Sequence, residues 1–411
     1  MKQATYNKKK QNLIIFLCWL VYTVAYFGRY SYNSGISVIE EIYGVSHAES
    51  GMVATMFFFA YGVGQIVHGL LCKFYKKRQI IAGVLIISAI INLSIFIGVP
   101  FVLIKYLWLL NGVVQSVLWS SLVMIIAQSV EEKLKKKAVL VMATTVPVGT
   151  ALVYGVSALF TFLNNYIIVF LFACVAMSLC AVVWFLLYHN DCAKIEEVVE
   201  ESSTPKTKVN LSGALIGFLV VISVFAICDN FLKDGIQTWA PTILKEIFSV
   251  DNSVSIALSI ILPCLGVFGA MLATFLYDRI KDFVVEIGLL FLGTSVLVLF
   301  ITSLVNTTMW LLFTIVFGLI ILLMNAVNNV VTSMVPLYMK KVNAGAIAGV
   351  LNGCCYFGST ISSYLLGYVA DNSGWQGVFV LFLISAVTVT IIAIGYTVIN
   401  NLILKRNKSN G

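Results

Sequence analysis

Apolar residues dominate this chain in runs too long and too unbroken for the helices or strands of a soluble core. Twelve stretches stand out: 12–36, 50–72, 79–98, 102–129, 138–161, 166–188, 212–240, 252–277, 284–304, 308–335, 344–370 and 375–403. Each is close to or above the ~20 residues that a helix needs to cross the hydrocarbon core of a bilayer. Lipid offers no partner to a bare backbone N–H or C=O, so helices that close their own hydrogen bonds are the expected way across. The pattern predicts an all-α membrane protein with twelve transmembrane helices in two six-helix halves. The one long polar interruption, 189–211, is charged, holds a single proline and few large apolar residues, and reads as a solvated linker. It divides the chain into a six-helix bundle over 1–188, a cytoplasmic linker over 189–211 and a second bundle over 212–411.

Composition agrees: 60% of the 411 residues are hydrophobic and 11% are charged, against about 25% charged in soluble domains. The formal net charge of +8 raises the question of nucleic acid. The basic residues lie in short loops between apolar runs, with no basic helix or solvated domain to hold a duplex, so no nucleic-acid partner is expected. Their placement instead sets topology. Lys and Arg collect at the N-terminus, in alternate loops, in the linker and in the tail, which together hold 22 of the 26. The opposite face has only Lys245 in a loop. Both termini are therefore expected in the cytoplasm, with the chain multi-pass in the cell membrane. The first run carries Arg29 and Asn33 and is followed at once by another, as befits a first spanning helix rather than a cleaved signal. The nine cysteines show no CxxC or Cys/His spacing and read as packing residues, so no metal or cofactor is expected.

Three basic residues remain inside spans: Arg29, Lys105 and Lys233. A charge at mid-membrane costs roughly 2.5–3.5 kcal/mol on insertion scales and is kept where it meets a partner or a wet cavity. Lys105 lies about a turn inside the end of span 4 and is expected to snorkel to the headgroups. Arg29 in span 1 and Lys233 in span 7 occupy comparable places in the two halves. In carriers built from repeated halves, the substrate lies between them near the midplane. Two cations there would bind an anion, the guanidinium as a bidentate fork and the ammonium as a compact charge. Asp229 stands one helical turn before Lys233 and can pair with it, or exchange between it and a proton; Asp234 is expected to point elsewhere.

Polar residues inside other spans extend this cavity or tie helices together. Tyr22, Tyr26 and Asn33 share a face with Arg29. Tyr61, Gln65 and His68 recur at helical spacing in span 2, with His68 close enough to the end to be solvated. Span 4 offers Gln115 and Trp119. Span 10 offers Asn325, Asn328, Asn329 and Ser333 on roughly one face, and span 11 Asn352, Tyr356 and Ser359. Asn and Gln suit hydroxyls, and Tyr or Trp suits the apolar face of a polyol or sugar.

Several of these segments are familiar together: YFGRYSYN in span 1, FFFAYGVGQIVHG in span 2, LNGVVQSVLW in span 4, KDGIQTWAPTIL in span 7, and GAIAGVLNGCCYFGSTISSYLLGYVADNSGWQGVF across spans 11 and 12. In them the chain resembles the major facilitator superfamily, and within it the organophosphate:phosphate antiporters, over nearly its whole length. The resemblance implies a secondary transporter, not an enzyme, working by alternating access on a small organic anion, with inorganic phosphate or a proton as coupling ion, and acting as a monomer. It places Arg29 and Lys233 beside the substrate's phosphate. A loop repeat before span 9, Gly269 followed by Tyr277, Asp278 and Arg279, implies a cytoplasmic gate. The chain departs from the pattern at Leu118–Ser121, Gln65, Tyr30, Val146, Pro147 and Lys73, where the family often carries other residues, among them cations. Fewer cations widen the expected substrates to monoanions and carboxylates. Two other readings of the same fold stand beside this one: a membrane-bound ligand sensor, and a proton-driven drug exporter, which would need acids in its cavity.

Overall fold

The computed structural model describes residues 8–71, 74–188, 213–305, 307–338 and 344–409. The linker foreseen over 189–211 lies outside them. The first set of helices is α1 (Lys8–Asn33), α2 (Ile36–Tyr43), α3 (His47–Leu71), α4 (Lys77–Phe96), α5 (Phe101–Ser129), α6 (Glu132–Ala143), α7 (Thr145–Phe162) and α8 (Ile168–Leu187). The second is α9 (Gly213–Phe248), α10 (Asn252–Leu258), α11 (Ile261–Gly266), α12 (Gly269–Ile280), α13 (Phe283–Leu304), α14 (Trp310–Asn329), α15 (Val335–Tyr338) and α16 (Ala344–Ser409).

Among the described residues, eleven helical segments are long and apolar enough to cross a membrane. The twelfth crossing is inside the last of them. The apolar part of α16 covers 56 residues, Ile347–Leu402, or roughly 84 Å of helix at about 1.5 Å per residue. That is nearly three hydrocarbon cores. The rod folds back at Gly374, whose φ of 68° and ψ of 178° are open only to glycine. Its two arms are spans 11 and 12.

Prolines account for most other departures from unbroken spans, because each removes an N–H and orphans the carbonyl four residues earlier. Pro147 would orphan Ala143, and the fifth span breaks there into α6 and α7. Pro263 would orphan Ser259, and the eighth span breaks between α10 and α11. Pro241 behaves differently: α9 runs through it to Phe248, past the expected end at 240. The freed carbonyl is that of Gln237, and the Tyr154 hydroxyl of α7 donates to it at 2.6 Å. A residue of the first helix set thus completes a helix of the second. The tenth span ends α14 at Asn329 and continues as a π-helical turn over Val330–Met334, a distortion frequent at functional sites.

Large apolar side chains such as Phe59, Ile66, Leu179, Leu186, Ile391 and Ile394 point outward, as a lipid-facing surface requires. Inside, α3 packs on α5 and α16, α4 on α8, and α16 on α9 and α13. The two helix sets are closed against each other at the end where α2 lies. There Lys245 pairs with Glu41, Asn252 donates to Glu41 at 2.8 Å and Ser37 donates to Asn252 at 2.7 Å. The seam between α3 and α16 continues inward through Thr55, which donates to the Thr360 carbonyl at 3.0 Å.

Candidate functional site

Arg29 sits in the last turn and a half of α1 and is 5% exposed. Its Nε donates to Gln115 Oε1 at 3.1 Å and one Nη to the Tyr61 hydroxyl at 3.4 Å. Aromatic faces surround the guanidinium: the rings of Tyr61 at 4.6 Å, Tyr26 at 4.7 Å, Tyr22 at 5.6 Å and Phe57 at 5.7 Å. Such contacts offset part of the cost of desolvating the charge. No carboxylate lies within ion-pair distance of it among the described residues. A guanidinium has five N–H donors, and the two protein bonds leave three for another acceptor.

The α1–α5 contact fixes the fork. Gln115 Nε2 donates to Ser88 at 2.8 Å and to Asn111 at 3.2 Å, so its carbonyl oxygen is turned to Arg29. Asn111 Nδ2 in turn donates to the Gly28 carbonyl at 2.7 Å. The close approach at Gly28 is tight: a Cβ there would stand 2.6 Å from Gln115 Nε2 and 2.6 Å from Met177 Sδ and would have to displace both side chains. Sequence reading found Gln115 but not Asn111, Ser88 or Phe57. The i, i+4 spacing of Asn111 and Gln115 was the available signal.

Tyr61 connects Arg29 to the second helix set. Gln65 donates to its hydroxyl at 2.9 Å, and Asn352 donates to Gln65 Oε1 at 2.5 Å. The Tyr61 and Tyr356 rings lie 4.8 Å apart, and Trp119 packs on Tyr22 at 4.9 Å. Tyr26, Tyr61, Gln65, Gln115, Trp119, Asn352 and Tyr356 are therefore one cluster around Arg29. Asn33 lies further along α1 and bonds Thr238 of α9 at 3.1 Å, and Tyr30 bonds Gln237 at 3.4 Å. Both tie the helix sets together.

Lys233 does not stand as a bare cation. Its ammonium is 3.9 Å from Asp234, the residue expected to point elsewhere. One turn of α9 is flexible enough at side-chain level for neighbours to meet where both reach into the same gap. The anticipated Lys233–Asp229 ion pair is not among the ion pairs, although Lys233 feels both acids. Asp229, fully buried, instead accepts from Asn328 at 3.1 Å and leaves Oδ1 without a partner. Asn328 also donates to Asn230 at 3.1 Å. Asn230 donates to Ser359 at 3.3 Å, and Ser359 to Asp234 at 2.5 Å. Tyr26 and Tyr30 lie within electrostatic reach of both Arg29 and Asp234, and Tyr30 bonds Gln237 of α9, so the two charged clusters are neighbours across the α1–α9 seam.

Other expected residues fall elsewhere. Asn325 donates to the Ile321 carbonyl at 2.9 Å and wedges against Gly266 and Gly269, at the α11–α12 contact rather than with Asp229. Asn329 is half-buried at the head of the π turn. The extra residue in that turn puts Ser333 out of phase, and it is exposed. Asp278 and Arg279 are exposed at the end of α12, with the guanidinium 4.0 Å from the Phe275 ring. His68 meets the Tyr75 hydroxyl at 2.5 Å.

A twelve-crossing helical bundle with a buried polar gap between two sets of helices defines a multi-pass membrane carrier. The chain belongs to the Major Facilitator Superfamily, whose family model matches residues 18–362; these are membrane transporters, not enzymes. It is 24% identical to the glycerol-3-phosphate transporter of Bacillus subtilis (strain 168), over 93% of this chain and 91% of that protein. It is also 24% identical to the membrane sensor protein UhpC of Escherichia coli (strain K12), over 93% and 91%. The resemblance to the organophosphate:phosphate antiporters thus extends along the chain. In fold it matches a bacterial homolog of the human lysosomal transporter Spinster, solved in an inward-facing and occupied conformation. The TM-score there is 0.77, at 14% identity over 97% of this chain and 98% of that one.

Proposed function

We propose that this transporter moves a small organic anion across the cytoplasmic membrane by alternating access, with an organophosphate or sugar phosphate as the favoured substrate. The observation that carries this is Arg29: buried, caged by rings, holding three spare donors and, among the described residues, lacking a carboxylate partner. A buried charge left so is costly, and an anion is what completes it. The halves 1–188 and 212–411 rock about this site, joined by a cytoplasmic linker, with both termini cytoplasmic. Asn352, Gln65 and Tyr356 lie where substrate hydroxyls would meet them.

Lys233, Asp234 and Asp229 set the coupling. With both acids ionised, the four charges around the gap cancel, and an arriving anion unbalances them. Proton uptake at Asp229, whose Oδ1 is unpartnered, restores the balance. Coupling to a proton is the favoured form, and exchange with inorganic phosphate is the alternative. Asp278 and Arg279 act at the cytoplasmic gate, and the carrier works as a monomer.

The test is uptake of radiolabelled glycerol 3-phosphate, glucose 6-phosphate, phosphate and lactate into proteoliposomes, with and without a pH gradient. Saturable uptake of an anion that Arg29→Ala abolishes supports the reading. Uptake unaffected by Arg29→Ala refutes it. The likeness to UhpC favours a second reading, a ligand sensor: thermal stabilisation by a phosphate ester without any flux would establish that reading instead.

A further inference from the structure

Away from Arg29, the α2 end of the molecule holds a second cluster of titratable groups. His47 begins α3. Its Nδ1 is 3.0 Å from Glu40 Oε1, and its Nε2 is 3.3 Å from Glu246 Oε1. Glu40 belongs to α2 of the first helix set and Glu246 to α9 of the second, so one imidazole bridges the two. Trp375 Nε1 holds the other Glu246 oxygen at 2.8 Å. The Trp239 and Trp375 rings flank the imidazole at 5.7 and 5.4 Å. Ser50 donates to Glu40.

From α16, Asp371 approaches the same residue by its backbone: it accepts from His47 N at 3.1 Å and Ala48 N at 2.8 Å. Further charges lie nearby, and of these Lys245 is within electrostatic reach of Glu246. Lys245 pairs with Glu41, and Glu49 accepts from Ser46 N at 3.0 Å. Three carboxylates from three elements therefore converge on His47, and no other cation is bonded to them among the described residues.

The donor count decides which form fits. A neutral imidazole has one N–H and one lone pair, and only the protonated ring donates from both nitrogens. With the neutral ring, one nitrogen lone pair would face a carboxylate oxygen. One ligand atom from each of Glu40, His47 and Glu246 lies within 4.8 Å of the others, close enough for a metal ion, and the EDTA in the experiment below separates that occupant from a proton.

We propose that His47 is a proton-binding site that latches the α2 end of the carrier: protonated, it joins Glu40 to Glu246 across the two helix sets, and deprotonated, it lets them part. The closed end binds the proton more tightly than the parted one, where the ring is solvated and titrates near its ordinary value of about 6.5. Closure is therefore fully favoured below that pH and weakens as the pH rises above it, by up to tenfold per pH unit. By the distribution of basic loops this is the outer end, so the ligand is an external proton. The inference rests on the alternating-access reading but on no particular substrate.

The experiment is hydrogen–deuterium exchange of the purified full-length protein in EDTA at pH 6.0 and 8.5. Exchange is corrected for its intrinsic pH dependence and followed in peptides covering 40–51 and 367–376. Wild type should exchange at least about tenfold faster at pH 8.5. His47→Gln and Glu246→Gln should each exchange at the high-pH rate at both values. Equal corrected rates in wild type, or a wild-type pH response in both variants, overturns the proposal. Because the readout needs neither flux nor substrate, it stands or falls apart from the anion site.

Discussion

Arg29→Lys keeps the charge and the aromatic cage and changes only the geometry of donation. The guanidinium spends one N–H on Gln115 and one on Tyr61, leaving three. An ammonium has three donors in all, and holding the same two partners leaves one. A bidentate anion then loses at least one charge-assisted hydrogen bond, worth about 1.5–3 kcal/mol. That corresponds to roughly 10- to 150-fold weaker binding. Isothermal titration with inorganic phosphate and with glycerol 3-phosphate measures it directly, and circular dichroism confirms the helical fold. The variant should fold normally and lose affinity in that range for whichever anion wild type binds. A dissociation constant within threefold of wild type would refute the fork as the anion's anchor.

Three further outcomes follow from the geometry. Tyr154→Phe leaves the Gln237 carbonyl without its donor, at a cost of about 1–3 kcal/mol; the apparent melting temperature should fall, and no fall would show that the carbonyl finds another partner. Gly28→Ala drives a methyl into Gln115 and Met177, with an overpacking cost of about 1–3 kcal/mol, and should weaken anion binding along with stability; a gain in stability would contradict the close approach. Asp234→Asn frees the nearly buried Lys233 from its neighbour, at a cost of about 3–5 kcal/mol to the anion-free protein: its apparent melting temperature should fall while phosphate binding tightens in titration, and weaker binding would place Asp234 on the substrate side.

The spans were legible because a bilayer imposes a length on every crossing, and segregated Lys and Arg mark alternate loops. Their interruptions were legible only in part. Pro147 and Pro263 break their helices, while Pro241 does not, and the difference is Tyr154, 83 residues before its partner Gln237. No local pattern encodes a rescue that distant. The same limit governs the site. Arg29 stood out because a cation in an apolar run has to be explained. Asp234 was misread because helical spacing favours i, i+4 pairs, whereas the gap between the helix sets lets adjacent side chains turn toward each other. A regular period puts the four polar positions of span 10 on one face, and the π turn over Val330–Met334 takes Ser333 off it. Glu40, His47 and Glu246 lie in three separate helices near span ends, where charge is unremarkable in sequence, and only the fold brings them into contact.

The fold-back at Gly374 has a mechanical consequence. Spans 11 and 12 are joined by a single residue rather than a flexible loop, so their ends cannot slide independently. A tilt of the arm that carries Asn352 and Tyr356 is transmitted to the following arm as a lever transmits torque through its fulcrum. Slack added at that point, even a few glycines, would uncouple movement at the gap from movement at the periphery.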